Sequence, residues 1–161
     1  MIFGFGRPKT PPVIRSGEMS DARDIAELHA QSFDIPWGLM EFERLLSEQN
    51  ILSHVAVAEE AGARVQGFVL SRLVGDEAEI LSIAVDPRQR GKGLAGRLLA
   101  VHRESLVLSQ VGVLFLEVED GNSSAIALYK RYDFTQVSRR EAYYRKADGS
   151  AATALVMRRM L

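Results

Sequence analysis

The stretch "LSIAVDPRQRGKGLAGRLLA", residues 81–100, decides how the chain folds. An apolar run stops at Pro87, a short basic segment follows, and glycines at 91, 93 and 96 lead into a helical pattern. Read from Gly91, the spacing is G-x-G-x-x-G, the fingerprint of dinucleotide-binding proteins. Read from Arg88, it is R-x-x-G-x-G, a different phosphate cradle. Glu117 or Glu119 could serve as the ribose-binding acid of the first reading. Three features reject it. The residues "DPRQR" separate the strand from the first glycine, strand-like runs precede the motif, and only 42 residues follow Glu119. A doubly wound sheet does not fit in that remainder. A Walker loop fails too, since no G-x-x-x-x-G-K-[ST] is present. What survives is strand, basic glycine loop and helix. Glycines let backbone N–H groups turn toward an oxyanion, and the helix N-terminus adds partial positive charge. Arg88, Arg90 and Lys92 surround that spot, with Arg97 one turn into the helix. A pyrophosphate is the natural occupant; a solvated basic loop is the alternative on local chemistry alone.

Outward from this loop, the chain reads as one domain over 13–161 behind a loose tail over 1–12, "MIFGFGRPKTPP". "PPVIRSGEM" reads as a strand. "SDARDIAELHAQSF" reads as a helix with Ser20 and Asp21 as N-caps and Ala22, Ile25, Leu28 and His29 on one face. "PWGLMEFERLLSEQN" is a second helix with Leu39, Phe42, Leu45 and Leu46 inward. "SHVAVAEE", "RVQGFVLSRLV" and "EAEILSIAVDP" are three strands whose short glycine-bearing links imply antiparallel hairpins. A helix over 93–109 leads to "VGVLFLEVE", apolar enough to predict a strand buried on both faces. "SSAIALYKRYDF" is a short helix, and two strands near 135–144 and 151–160 close the chain around "KADG". The order β-α-α-β-β-β-α-β-α-β-β predicts a mixed α+β fold: a central, mostly antiparallel sheet flanked by helices.

Composition narrows the classes. The 161 residues carry a formal net charge of −1, so no overall field favours nucleic acid or an anionic membrane. There is no cysteine, hence no disulfide, thiolate nucleophile or cysteine metal site. His29, His54 and His102 lie far apart in the chain and form no ligand pair, so no metal is expected. His29 and His102 are assigned to helix surfaces or edges, with no role. No apolar run approaches the ~20 residues of a membrane span, and the start lacks a signal-peptide pattern. The expected location is the cytoplasm.

As a whole the chain resembles the GCN5-related N-acetyltransferases, the GNAT family. "LSIAVDPRQRGKGLAGRLL" is similar to that family's acetyl-CoA signature, and the likeness covers roughly residues 13–161. "LEVEDGNSSAIALYKRYDF", "RREAYYRKADG" and "IPWG" resemble the RimI-type subgroup, which acetylates the N-terminal alanine of a small-subunit ribosomal protein. The resemblance implies a GNAT fold and direct acetyl transfer from acetyl-CoA to an N-terminal α-amine. It implies that Ile83, Ala84 and Val85 offer backbone groups to the pantetheine arm. Arg88, Arg90, Gly91, Lys92, Gly93, Leu94 and Ala95 would hold the pyrophosphate, and Asn122 would contact the coenzyme arm. It implies Glu117 as general base, Tyr129 as general acid, and Trp37, Tyr143 and Tyr144 along the peptide groove. Expected partners are acetyl-CoA and a protein or peptide N-terminus, with neither nucleic acid nor membrane. Two features depart from the pattern. Asp133 stands where the helix end usually has glycine, and the turn is expected to survive because Asp tolerates a left-handed backbone. The segment "EDG" before Asn122 is unusually acidic, which bears on substrate choice.

The chemistry suits these residue types. An α-amine of pKa ~7.8 is roughly one-third neutral at pH 7.5, whereas a lysine near ~10.4 is only ~0.1% neutral. An enzyme aimed at N-termini therefore asks less of its base, and a glutamate suffices if burial or a relaying water helps it. On local sequence alone, Glu117 reads equally as a strand-edge carboxylate with an ion-pair partner. Tyr129 reads also as core packing, and Trp37 and the tyrosine pair as core or groove. Two other functions fit the same cofactor loop: acetylation of a small-molecule amine, and a non-catalytic CoA-binding domain.

Overall fold

The computed structural model describes residues 10–161; the tail reading over residues 1–9 lies outside the described residues. Strands are β1 (Val13–Ser16), β2 (Ile51–Val57), β3 (Val65–Val74), β4 (Glu77–Val85), β5 (Val113–Glu119), β6 (Thr135–Arg145) and β7 (Ala151–Met160). Helices are α1 (Ala22–Ser32), α2 (Leu39–Ser47), α3 (Leu94–Leu108) and α4 (Ser123–Arg131). The strands form one sheet in the order β1-β2-β3-β4-β5-β7-β6. Every neighbouring pair is antiparallel except β4 and β5, which are parallel as the α3 crossover requires. The expected fold class and element order are the observed ones.

Two apolar clusters sandwich the sheet. Leu94, Leu98, Leu99 and Leu106 of α3 pack with Ile80, Leu114, Leu116 and Val118 on one face. Ile25 and Leu28 of α1 and Phe42 and Leu45 of α2 pack with Val55, Phe68 and Leu70 on the other. The helical stripes read from the sequence are therefore the buried ones.

Four local expectations need correction. Strand β5 alternates between buried and half-buried residues, so it is covered on the α3 face but faces a cavity on the other. Asp21 does not cap α1; its carboxylate accepts from the Glu18 N–H at 2.8 Å and pairs with Arg15. Nor does Ser20: no side-chain cap bond forms at that helix end. His29 and His102 are not surface residues but 3% and 0% exposed.

His54 and His102, remote in sequence, meet in the core with their Nδ1 atoms 2.9 Å apart. Ser71 Oγ sits 2.7 Å from His102 Nε2, and Ser105 Oγ sits 3.2 Å from His54 Nε2. This four-residue chain satisfies the polar atoms that α3 carries into the apolar face of β2 and β3. Burial holds both imidazoles below their ordinary range; at His102, where the His54 charge adds to burial, the value falls to about 3.

Candidate active site

The site begins where two strands part. Parallel pairing of β4 with β5 runs from Glu77↔Val113 to Ile80↔Leu116 and then stops. Beyond it β4 continues against β3 alone and β5 against β7 alone. On the β3 side the register jumps between Leu70↔Ser82 and Ser71↔Ile80, leaving Leu81 without a partner. Such a bulge bends a strand and increases its twist, which accounts for the divergence. The result is a wedge with Ile83, Ala84 and Val85 along one wall, where backbone groups turned from β3 face no other strand.

At the mouth of this wedge stands the glycine loop. Asp86, 6% exposed, accepts the Arg88 N–H at 2.9 Å and starts a short 3-10 turn with Pro87. The Arg88 guanidinium also clasps it, and these bonds hold the Asp86 carboxyl below the usual range. Gly91 and Gly93 then adopt φ of +74° and +77°, values that favour glycine. Nothing lies within 4 Å of a Cβ built on either, so this side of the loop is open. The N–H groups of Gly91, Lys92 and Gly93 have no internal hydrogen bond among the described residues. They lead directly into the N-terminus of α3, with Leu94 turned into the core and Ala95 half-buried. The loop's cations are tethered nearby. Arg90 donates to the Val85 carbonyl at 3.2 Å, Lys92 to the Arg88 carbonyl at 3.2 Å, and Arg97 to the Pro12 carbonyl at 2.8 Å. Open N–H groups, a helix dipole and basic side chains within one loop fit a pyrophosphate.

The third glycine does something else. A Cβ on Gly96 would lie 1.9 Å from the Tyr132 hydroxyl oxygen. Gly96 thus lets α3 meet the end of α4, a packing role that its place in the G-x-G-x-x-G spacing disguises.

Glu117 lies on the cavity side of β5, opposite Val156 of β7, its side chain 14% exposed. Arg140 Nη1 approaches its carboxylate at 2.9 Å. Tyr129, on α4, is 7% exposed and stacks edge to face on Phe134, and burial pushes its hydroxyl up to about 12. Tyr144 is also pushed up to about 12, by burial first and then by the charge of Glu117, with Tyr143, Tyr129 and Glu119 contributing. Glu117 and Tyr144 thus act on each other electrostatically, whereas Tyr129 packs in the α3-side cluster on the opposite face of β5. Asn122 caps α4 by accepting the Ala125 N–H at 3.2 Å, which engages its Oδ1 but not its amide nitrogen.

Trp37 packs against the α1–α2 cluster, as the core alternative expects. It is half-buried, its ring stacked on His29 at 4.9 Å and tilted on Phe42 at 5.8 Å, while its backbone N–H donates to His29 Nδ1 at 3.1 Å. His29, which the sequence left without a role, thereby ties α1 to the 33–38 loop, and burial lowers it to about 4. Tyr143 is half exposed and meets Tyr144 edge to face at 5.4 Å. Lys146, just beyond β6, pairs with Glu119 at 2.7 Å.

Two further residues were not singled out by sequence reading. Glu79 and Arg140 line the same cavity as Glu117, with Arg72, Phe115 and Val156. Glu79 is raised, first by burial and then by the Glu117 charge, against the opposing pull of Arg140 and Arg72. Strand parity placed Glu79 on one face of β4, but its partner across the sheet depended on the β4–β5 register. No group of His, Asp and Glu able to hold a metal occurs among the described residues.

Comparison with known proteins adds a family. A profile described as the Acetyltransferase (GNAT) family matches residues 22–134. The chain is 38% identical over 154 residues to N-alpha-acetyltransferase RimI of Mycobacterium tuberculosis, covering 92% of each chain. It is 29% identical over 136 residues to the [ribosomal protein bS18]-alanine N-acetyltransferase of Escherichia coli, covering 84% of this chain and 89% of that protein. The crystal structure of the Escherichia coli ribosomal-protein-S18-alanine N-acetyltransferase superposes with a TM-score of 0.81 over 91% of both chains, at 29% identity. Arabidopsis thaliana NAA60, solved in complex with acetyl-CoA, shares the fold with a TM-score of 0.84 at 21% identity, over 92% of this chain and 98% of that one.

Proposed function

This chain belongs to the Acetyltransferase (GNAT) family, and from that premise we propose that it acetylates protein N-termini. The co-substrate is acetyl-CoA, and the acceptor is an N-terminal α-amine, with alanine of a small-subunit ribosomal protein as first choice. Residues 13–161 act as one catalytic domain, working in the cytoplasm. The observation that carries this reading is the parting of β4 and β5 beyond Ile80 and Leu116. That wedge has an anion-ready loop at one mouth and Glu117, Tyr129 and Tyr144 at the other.

The roles follow from position. Gly91, Lys92, Gly93, Leu94 and Ala95 direct backbone N–H groups at the pyrophosphate, assisted by the charges of Arg88 and Arg90. Ile83, Ala84 and Val85 bind the extended pantetheine arm as a missing strand would, and the Asn122 amide nitrogen reaches its far side. When bound, the thioester supplies the acetyl group. Glu117 accepts the proton of the acceptor's α-ammonium, directly or through one water. With its pKa near 12, against ~8.5 for a thiol, Tyr129 keeps its proton by about 5 kcal/mol. Its part is therefore to donate a hydrogen bond to the departing sulfur, which leaves as a thiolate. Trp37, Tyr143 and Tyr144 flank the acceptor path, the tyrosine hydroxyls serving its backbone.

Acetyl transfer to a panel of short peptides differing in residue one, read by thiol release, tests the proposal. Transfer to an Ala-led peptide that vanishes on blocking its α-amine, and drops at least ~100-fold in Glu117→Gln, is the expected result. Tight acetyl-CoA binding with transfer only to small amines would replace the acceptor assignment.

A further inference from the structure

Glu117 is not free in this structure. Its carboxylate is engaged by Arg140, whose side chain is half exposed and whose ion pair with Glu117 is its one ionic contact among the described residues. Neighbouring Arg139, by contrast, is held by both Asp120 and Glu141. Arg140 belongs to β6, one of the two edge strands of the sheet. Immediately after it the pairing jumps from Arg140↔Ala154 to Tyr144↔Ala152, so three residues of β6 oppose one of β7, with Ala142 at φ +52°. This irregularity brings Tyr143 beneath the guanidinium, whose central carbon lies 5.0 Å from the ring centroid. Arg140 thus sits between a carboxylate and an aromatic face, and either can hold a cation.

We propose that Arg140 is a placeholder for the acceptor's α-ammonium, holding its position on Glu117 at rest and withdrawing onto Tyr143 when the acceptor arrives. This rests on the assignment of Glu117 as base. A guanidinium and an α-ammonium carry the same charge and seek the same carboxylate, and Glu117 is too enclosed to serve both in one geometry. Charge balance in the cavity supports the exchange. Glu77, Glu79 and Glu117 face Arg72 and Arg140, three carboxylates against two guanidiniums. Withdrawal of Arg140 leaves three carboxylates against one guanidinium, an excess that attracts the ammonium. The other titratable groups around Glu117 are Glu119 on β5, Tyr129 on α4 and Tyr144 on β6, and both tyrosines remain neutral at working pH. Arg140 is in these terms a positioning residue, acting through Glu117.

Arg140→Ala tests it by two readouts, with Glu117→Gln as control. Binding of an Ala-led hexapeptide, measured by calorimetry in the presence of CoA, should tighten several-fold. In steady-state assays the KM of Arg140→Ala for the same peptide should fall several-fold while kcat holds, a split that a merely structural role would not produce. Tyr143→Ala removes the alternative seat and should weaken peptide binding more in the parent than in Arg140→Ala. Unchanged or weaker peptide binding in Arg140→Ala, or an unchanged KM, overturns the placeholder. Undiminished turnover in Glu117→Gln would instead overturn the base assignment, whatever Arg140→Ala shows.

Discussion

Phe134 donates its N–H to the Tyr129 carbonyl at 3.0 Å, and the two rings meet edge to face at 5.8 Å. Together with the Asp133 N–H bond to the Lys130 carbonyl at 3.1 Å, this closes α4 with a Schellman motif and its usual apolar contact. The proposed acid is thus anchored by the end of its own helix. The residue enabling the closure is Asp133, at φ +63°.

Asp133→Ala should therefore destabilise the protein by about 1 kcal/mol, because alanine bears the left-handed strain without the local polar compensation of Asp. Asp133→Gly should match or exceed the parent. Urea denaturation of the three proteins compares them, and equal midpoints would show that the turn is not strained.

Gly96→Ala should cost about 1–3 kcal/mol, since the added carbon would overlap the Tyr132 ring unless α4 shifts or Tyr132 swings away. Adding Tyr132→Leu should recover part of that loss. A second substitution that merely adds its own cost would mean that the crowding lies elsewhere.

Gly93→Ala meets open space but the wrong backbone, with φ at +77°. About 1 kcal/mol of stability should be lost. CoA affinity should fall further than stability explains, because the N–H directions of the loop move. Isothermal titration with CoA, run alongside thermal melts, separates the two effects.

Acid should weaken the fold through its buried imidazoles. The folded proteins' His29 and His102 lie at about 4 and about 3, well below the ordinary 6.5, so they bind protons less readily than in the unfolded chain. Their contribution is therefore present above pH ~6.5 and lost as pH falls toward 4 and then 3. For His29 alone the loss approaches about 3 kcal/mol. The urea midpoint should drop steadily below pH 6.5, and less steeply in His102→Gln, which cannot take up the proton. A flat profile down to pH 4 in the parent would contradict this assignment.

Much of the site was legible in residue order. The strand, loop and helix of residues 81–100 announce themselves because Pro87, the glycines and the apolar stripe each act locally. Asp133 could be recognised as a left-handed position for the same reason. His29 and His102 could not be placed correctly: a histidine on a helix looks alike from sequence whether a serine, a tryptophan or water faces it.

The sequence by itself determined the element order, the antiparallel hairpins, the helical faces and the anion-ready loop. These depend on backbone preferences and apolar periodicity within a few residues. Only the tertiary structure decided that β4 and β5 part at Ile80 and Leu116, that Glu79 and Arg140 share a cavity with Glu117, and that His54 meets His102. Each of these depends on the register between strands or on how a helix seats against the sheet. A shift of one residue in pairing turns every side chain of a strand to the opposite face, so no local pattern encodes such neighbours.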